Sequence, residues 1–166
     1  MTHPPAGTVI LTQIEGWVGA VVRALQAMNG DVSPWTHVAV SLGDGTVFEA
    51  QPGGAVITPW SQYQFRPVAL LRFVRDEHQA RQVVDECRRR VGAGYNYTTY
   101  FYLAAYRLRL PVLTRILRAR VERSDKMICS QAADDVHRVH GIHIFNDGRL
   151  PFDVTPGDFA RLMRKH

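Results

Sequence analysis

Cysteine, lysine and long apolar runs are scarce in this sequence, and each scarcity excludes a class of protein. Two cysteines among 166 residues, Cys87 and Cys129, are too few for a disulfide-stabilised scaffold. The chain has no run of 18 or more apolar residues, so it predicts no membrane-spanning helix. The first residues, MTHPPAG, lack the basic start and apolar core of a signal peptide. We therefore expect a cytoplasmic location, with phage-encoded delivery or another export route as alternatives.

Lysine accounts for only two of the 20 basic residues, Lys126 and Lys165, and the others are arginine. The net charge of +5 could indicate nucleic-acid binding, but the chain contains no recognisable nucleic-acid-binding motif. An arginine bias of this kind is what a GC-rich genome produces whatever the function of the protein. We therefore expect no nucleic-acid partner.

The length and the apolar content of 46% suit one soluble globular domain that covers residues 1–166. Apolar residues at helical spacing predict helices at 15–30, at 76–92 and from residue 129 to near Gly141. Consecutive strands between helices indicate an α+β fold with an antiparallel sheet. Alternating and β-branched runs predict these strands at 8–13, 36–42, 46–50, 54–59 and 66–74.

The two cysteines lie in predicted helices of different character. The positive end of a helix dipole favours a thiolate at Cys129, because this residue starts its amphipathic helix. The apolar side of that helix is formed by Ala132, Ala133, Val136 and Val139, and the polar side by Gln131, Asp134, Asp135 and Arg138. The other cysteine belongs to a stripe that predicts a buried, inert thiol, namely Ala80, Val83, Val84, Cys87 and Val91.

A cysteine nucleophile needs a base, usually histidine, and a group that orients the base. Of the seven histidines, His37 stands out because it lies inside a predicted strand, in WTHVAVSL. It shares one strand face with Ala39 and Ser41, while the apolar residues between them form the opposite, core-facing side. His37 is therefore the candidate base for Cys129.

Glu49 is a candidate orienting residue whose position depends on the turn between two predicted strands. A three-residue loop over 43–45, with Gly45 left-handed, places Ala39 opposite Glu49. Glu49 then lies diagonal to His37 on the same face, where its carboxylate could accept the Nδ1 proton. A two-residue Asp-Gly turn shifts the register by one residue and puts Glu49 on the wrong face. Both turns fit the sequence.

Two further segments have more than one interpretation. The run HRVHGIH, residues 137–143, contains histidines but no set of carboxylates or cysteines at zinc-ligand spacing, so we expect a solvated helix end and no metal site. The aromatic and arginine-rich stretch 97–120, interrupted by Pro111, predicts a pair of helices. These helices could form a cap over a reactive site, a core element with exposed arginine stems, or a peripheral membrane contact.

Several motifs, taken in their order along the chain, resemble one known family. WTHVAVSLGDGTVFEAQPGGAV, residues 35–56, is similar to the histidine strand and hairpin of circularly permuted NlpC-like, papain-like cysteine hydrolases, a group that includes YiiX-like and lecithin retinol acyltransferase-like proteins. MICSQAADDVHRVHGI, residues 127–142, followed by LPFDVTPGDFARL, residues 150–162, resembles the cysteine helix and closing proline-rich segment of this family. GAGYNY, residues 92–97, resembles its Gly-x-x-Tyr element. A histidine strand ahead of the cysteine helix is the order of the permuted members.

The resemblance implies a permuted papain-like fold, in which an antiparallel sheet packs against helices and a helical insertion occupies about residues 97–122. It implies that Cys129 is the nucleophile, His37 the base and Glu49 the orienting residue. This assignment favours the three-residue turn.

The resemblance also implies which residues border the substrate or oxyanion site. It assigns Ser130 and Tyr95 to this border, and Tyr97 is the alternative match to the family tyrosine. Ala39 departs from the family pattern, in which glycine is common, and this narrows the space beside His37.

The implied activity is that of a cysteine peptidase or amidase that cleaves an amide bond through an acyl-enzyme, with peptidoglycan stem peptides as the expected substrate. The same triad could instead hydrolyse or transfer acyl groups on esters, thioesters or lipids. A third alternative is a binding module that keeps the fold and has lost turnover. The expected partner is a peptidoglycan peptide or a small acyl or amide substrate, and no cofactor is expected.

Overall fold

The computed structural model describes residues 2–14, 16–27, 33–124 and 126–163. The strands are β1 Thr8–Thr12, β2 His37–Ser41, β3 Thr46–Gln51, β4 Gly54–Pro59 and β5 Val68–Arg72. The α-helices are α1 Gly16–Ala27, α2 Glu77–Arg89, α3 Tyr97–Arg107, α4 Pro111–Glu122, α5 Cys129–Arg138 and α6 Pro156–Met163. Short 3-10 turns occupy Trp60–Tyr63 and Pro151–Asp153. Residue 15 and residues 28–30 of the helix predicted at 15–30 lie outside the described residues.

The described strands form one antiparallel sheet. Its order is β4-β3-β2-β1-β5, so β2 occupies the centre. On one side β2 pairs with β1, where His37 lies opposite Thr12. On the other side it pairs with β3, where Ala39 lies opposite Glu49. The predicted α+β class with an antiparallel sheet packed against helices is confirmed.

The turn between β2 and β3 is the three-residue loop, and the two-residue alternative is wrong. The Leu42 N–H donates to Thr46 O at 3.0 Å, which closes the hairpin around residues 43–45. Gly43 and Gly45 have left-handed φ angles of 78° and 84°. Glycine adopts such angles without the steric cost that a Cβ imposes. The resulting register puts Glu49 on the strand face of the predicted base.

Both faces of β2 are covered, so this strand is buried along its whole length. Burying an aliphatic side chain of valine or isoleucine size contributes about 1.5–3 kcal/mol to stability. One face of β2 belongs to the main core. In this core Val38, Val40 and Leu42 pack with Val83 of α2 and Val136 of α5. The other face packs in a smaller cluster formed by Ile10, Ala39, Val47 and Tyr63. His37 therefore begins a strand that lies inside the protein.

Helix α2 carries Cys87 in the core. Asp76 caps its N-terminus by accepting the Gln79 N–H at 2.8 Å, a contact that stabilises a helix by about 1 kcal/mol. Val91, the predicted end of the apolar stripe, is half exposed because the helix ends at Arg89. The rest of the predicted stripe is buried, namely Ala80, Val83, Val84 and Cys87.

Helices α3 and α4 form a helical hairpin over the stretch in which the sequence predicts two helices. Pro111 stands in the first turn of α4, where its missing N–H costs no helical hydrogen bond. The Tyr102 hydroxyl donates to Asp153 Oδ1 at 2.6 Å and ties α3 to the 3-10 turn Pro151–Asp153. Val112 and Ile116 are exposed, so the interpretation as a core element is wrong for this part of α4. Within the described residues, no helix is both long and apolar enough to cross a bilayer.

Helix α5 packs against β2 and β3 and also contacts the 3-10 turn Pro151–Asp153. Because it is covered on more than one side, Asp134 is buried, although the helical pattern assigns it to the polar side. Burial raises the pKa of this carboxyl to about 6. Val139, which the pattern assigns to the apolar side, is half exposed because the helix ends at Arg138. The predicted apolar side is confirmed for three residues that are buried, namely Ala132, Ala133 and Val136.

Candidate active site

The Cys129 thiol stands at the first position of α5. Ile128 precedes it in an extended conformation, with φ −99° and ψ 166°. The first hydrogen bond of this helix runs from the Ala132 N–H to Ile128 O at 2.9 Å. The N–H groups of the first turn have no carbonyl acceptor within the helix. They form a positive end that favours negative charge on the sulfur or on a substrate oxygen.

His37 and Cys129 meet in space although they are far apart in the chain. His37 is the first residue of the central strand, and α5 packs directly on that strand. The two side chains lie close enough that interaction with Cys129 raises the pKa of His37. The assignment of His37 as the base for Cys129 stays a prediction.

Glu49 contacts the His37 ring. Its Oε2 atom is 2.5 Å from Nε2. The prediction that the carboxylate accepts from Nδ1 is therefore wrong, because the acceptor contact is made with Nε2. Nδ1 is the ring nitrogen that Glu49 does not contact. His37 thus interacts with both a cysteine and a carboxylate, as a positioned base must.

One residue that the sequence did not identify, Thr58, holds the Glu49 carboxylate, and a second, Tyr63, is affected by its charge. Thr58 Oγ1 donates to Glu49 Oε1 at 2.6 Å. The Tyr63 hydroxyl is buried without a hydrogen-bond partner among the described residues, and burial and the charge of Glu49 raise the pKa of Tyr63, so the hydroxyl stays neutral. Thr58 lies opposite Val47, so a register count extended by one strand would find it on the Glu49 face. Tyr63 lies in the short turn Trp60–Tyr63, where no periodic pattern marks it.

The charges of this site support one another. Burial by itself lowers the pKa of His37, but its interactions with Cys129 and with Glu49 raise that pKa to about 10. Burial by itself raises the pKa of Glu49, but the hydrogen bond and charge of His37, with the hydrogen bond from Thr58, lower it to about 2. Glu49 is therefore ionised and His37 protonated near neutral pH. The His37 imidazolium and the Glu49 carboxylate give each other a buried charge partner.

The Ser130 hydroxyl has a fixed partner. Ser130 is fully buried, and its Oγ donates to Val154 O at 2.7 Å. This bond links the first turn of α5 to the residue that follows the 3-10 turn Pro151–Asp153. Ser130 therefore positions the helix start through its side chain, and its backbone N–H belongs to the positive end of α5.

Tyr95 lies next to the segment that leads into Cys129. Its backbone forms a parallel bridge with Met127, and its side chain is buried. Two adjacent backbone hydrogen bonds join the same segments: the Met127 N–H donates to Gly94 O at 3.0 Å, and the Asn96 N–H donates to Met127 O. Tyr97, the alternative match, begins α3, and its side chain lies outside the described residues. Of the two tyrosines, Tyr95 is the one whose backbone pairs with the approach to the nucleophile.

The expectation of a solvated helix end for the histidine run after Cys129 holds at His143, which is exposed, and is wrong at His137. His137 is fully buried, with Nδ1 2.7 Å from Ala133 O and Nε2 3.2 Å from Gly7 O. Burial lowers the pKa of His137. It is a structural residue that joins α5 to the start of β1. In the part of the chain that the structure describes, no group of three or more histidine, cysteine or acidic side chains could hold a metal ion.

The thiol is closed off from solvent. Cys129 is 3% exposed and His37 1% exposed. The structure has a separate open cleft of about 350 Å³, and its lining includes Tyr106, Asp153 and Arg161 but neither of these two residues. In this conformation Cys129 therefore offers little surface to a second molecule.

The assignment of these three side chains stands on their geometry. No family model matches the chain, and the comparison with curated proteins finds no match.

Proposed function

We propose that the protein is a cysteine hydrolase in which Cys129 attacks a carbonyl carbon, His37 transfers protons and Glu49 holds the imidazole ring. The observation that carries the proposal is the buried contact between His37 Nε2 and Glu49 Oε2 at 2.5 Å, made by a ring that also interacts with Cys129. Charges are costly to bury, and a binding module gains nothing from an imidazolium–carboxylate pair next to a cysteine. An activated nucleophile needs such a pair.

In the first half of the reaction, the Cys129 thiolate adds to the substrate carbonyl. The oxygen gains the negative charge, and the first N–H groups of α5 are placed to stabilise it. The His37 imidazolium donates its Nδ1 proton to the leaving group as the carbon–nitrogen bond breaks. The products are a free amine and a thioester on Cys129. Glu49 remains ionised and keeps Nε2 in place.

In the second half, the neutral His37 accepts a proton from water at Nδ1. The resulting hydroxide attacks the thioester carbonyl, and a second oxyanion forms at the same N–H groups. Collapse of this intermediate releases the carboxylic acid and returns the Cys129 thiolate with the His37 imidazolium. Atoms and charges balance over the cycle, which consumes one water per bond cleaved.

The proposed bond is an amide, and the proposed substrate class is the stem peptide of peptidoglycan. This choice rests on the resemblance to permuted NlpC-like hydrolases. One observation favours a second candidate, in which the acyl group belongs to an ester, thioester or lipid. The hairpin of α3 and α4 exposes several large apolar side chains, and it begins close to Tyr95, whose backbone pairs with the approach to Cys129.

The test is to trap the acyl-enzyme. The protein is incubated with muropeptides in one series and with acyl esters and thioesters in another, and intact mass is followed with product release. The proposal predicts a covalent adduct on Cys129 with at least one of these substrate classes. The Cys129→Ala variant should form none, and the matched Cys87→Ala variant should form it normally. An adduct that persists in Cys129→Ala, or no turnover in either series, contradicts the proposal.

A further inference from the structure

The tip of the helical hairpin, residues 108–116, is the most apolar exposed segment among the described residues. Val112 is 73% exposed, and four more large apolar side chains of the tip are at least 43% exposed, namely Leu108, Leu110, Leu113 and Ile116. Elsewhere exposed apolar residues such as Phe65 and Ile57 stand singly, which is ordinary for a protein surface. A contiguous group of five marks a surface that contacts something apolar.

The tip lies in a part of the chain that carries only positive charge. From Val91 to Val121 the sequence has five arginines and no acidic residue. Arg109 and Arg115 belong to the tip, and Arg120 stands one turn beyond it; all three side chains are exposed. The next acidic residue, Glu122, is paired with Arg118 at 2.8 Å. The tip therefore presents aliphatic side chains and unscreened positive charge together.

Arg109 occupies a backbone position that normally favours glycine. Its φ angle is 55°, in the left-handed region, at the sharp turn between α3 and α4. Any side chain there carries a steric cost that glycine does not. The chain nevertheless places an arginine between Leu108 and Leu110, at the outermost point of the hairpin.

We propose that the hairpin tip docks on the surface of an anionic phospholipid membrane. The aliphatic side chains would enter the boundary between headgroups and acyl chains, and the arginines would contact the lipid phosphates. An interfacial helix needs this combination. Helix α4 also has two sides, since Leu117 and Val121 pack against the core while Val112 and Ile116 are exposed. The inference is independent of the proposed hydrolase activity.

The two other candidate occupants fit the tip less well. A second copy of the chain would bring two arginine-rich surfaces together, and like charges facing each other oppose such an interface. Nucleic acid would bind the arginines but would leave Val112 and Ile116 in water. An anionic membrane accommodates both properties at once.

The experiment is flotation of the full-length protein with two kinds of vesicle, phosphatidylcholine mixed with phosphatidylglycerol and phosphatidylcholine alone. We expect binding to the mixed vesicles that weakens in high salt, and little binding to the neutral ones. Val112→Ser with Ile116→Ser should weaken binding at least about tenfold. Arg115→Gln with Arg120→Gln should weaken it about 25-fold, since each arginine near an anionic surface contributes about fivefold. The matched control, Phe65→Ser with Arg75→Gln, removes an exposed apolar residue and an exposed arginine elsewhere and should change nothing.

Arg109→Gly separates docking from folding. Glycine relieves the left-handed backbone, so the melting temperature should stay the same or rise, while vesicle binding should fall about fivefold. Three results would overturn the proposal. The first is no binding to the mixed vesicles, and the second is a stable dimer that Val112→Ser with Ile116→Ser converts to monomer. The third is tight binding to duplex DNA that depends on the arginines and not on the aliphatic residues.

Discussion

Cys87 and Cys129 are almost equally buried, at 0% and 3% exposure, yet the two thiols have different surroundings. Cys87 lies in the middle of the apolar stripe of α2, where burial and the charge of Glu86 raise the pKa of the thiol and keep it protonated. Cys129 begins α5 and interacts with His37, whose Nε2 contacts Glu49. If Cys129 is the nucleophile as proposed, the polar partner, and not exposure, distinguishes the reactive thiol from the inert one.

The largest expected effect comes from removing the Cys129 thiol. Cys129→Ala should lower hydrolase activity at least about 10³-fold, because the covalent intermediate cannot form. It should also abolish alkylation by iodoacetamide at about pH 6, where a buried protonated thiol does not react. Peptide mapping after labelling measures this directly. Cys87→Ala is the control and should leave the labelling intact; labelled Cys87 in the Cys129→Ala variant would break the comparison.

Removing the partner should have the next largest effect. His37→Ala should slow alkylation of Cys129 and lower activity by about 10²- to 10⁴-fold, because the proton carrier is lost. It also leaves the Glu49 charge buried without its partner, at a cost of about 3–5 kcal/mol in unfolding free energy. His37→Gln separates the two consequences, because an amide N–H can still donate to Glu49 while it cannot transfer protons. A His37→Gln variant that is folded and fully active would contradict the assignment.

The orienting carboxylate should matter less than the base. Glu49→Gln should lower activity by about 10- to 100-fold, since the amide keeps a contact with Nε2 but removes the negative charge that stabilises the imidazolium. The measurement is kcat/KM as a function of pH. Thr58→Val, which removes the donor to Glu49 Oε1, should cause a smaller loss in the same direction. If Glu49→Gln and Thr58→Val lowered kcat/KM equally, the negative charge of Glu49 would have no effect of its own. Glu49 would then act only in packing.

The unfolding free energy should depend on pH through the charges of Glu49 and His37. The pKa of Glu49 falls from 4.5 to about 2 on folding, so its contribution is present above pH 4.5 and is lost as the pH falls toward 2. The pKa of His37 rises from 6.5 to about 10, so its contribution is present below pH 6.5 and is lost as the pH rises through 10. Urea unfolding across this range should show both losses. Glu49→Gln should flatten the acid limb, and Cys87→Ala should preserve it.

The smallest effect is expected at the inert cysteine. Cys87→Ala removes one buried sulfur and should lower the unfolding free energy by about 1–2 kcal/mol through lost packing. Activity should change less than twofold, because no catalytic group contacts this thiol among the described residues. Thermal unfolding and kcat on the same preparation give both values. A large loss of activity at unchanged stability would place Cys87 in the catalytic machinery and remove the contrast with Cys129.

The strand hairpin is predictable from sequence because its loop allows only two registers, and each one assigns Glu49 to a definite face. The orientation of the His37 ring is not predictable in this way. Which nitrogen faces the thiol depends on where α5 docks against β2, and no local pattern encodes that docking. Tyr63 is missed for a related reason, since a short turn places it over the sheet without any period in the sequence.

The burial of α5 shows the same limit. Helical periodicity assumes one covered side, and it correctly assigns Ala132 and Val136. Asp134 and His137 depart from the pattern because the 3-10 turn Pro151–Asp153 and the start of β1 cover further sides of the helix. The position of a residue around the helix axis predicts its burial only when the elements that pack against the helix are known.

The closed position of Cys129 also has a kinetic meaning. A thiol with 3% exposure reacts only during excursions that uncover it, so the observed alkylation rate is the intrinsic rate multiplied by the fraction of time spent open. Concentrations of urea too low to unfold the protein should then accelerate alkylation, whereas the same urea slows an enzyme whose site is already open. In the proposed hydrolase, substrate turnover would contain the same factor, because the apparent affinity of a ligand scales with the population of the form that can bind it. A change that increases that population would then increase kcat/KM without altering Cys129, His37 or Glu49.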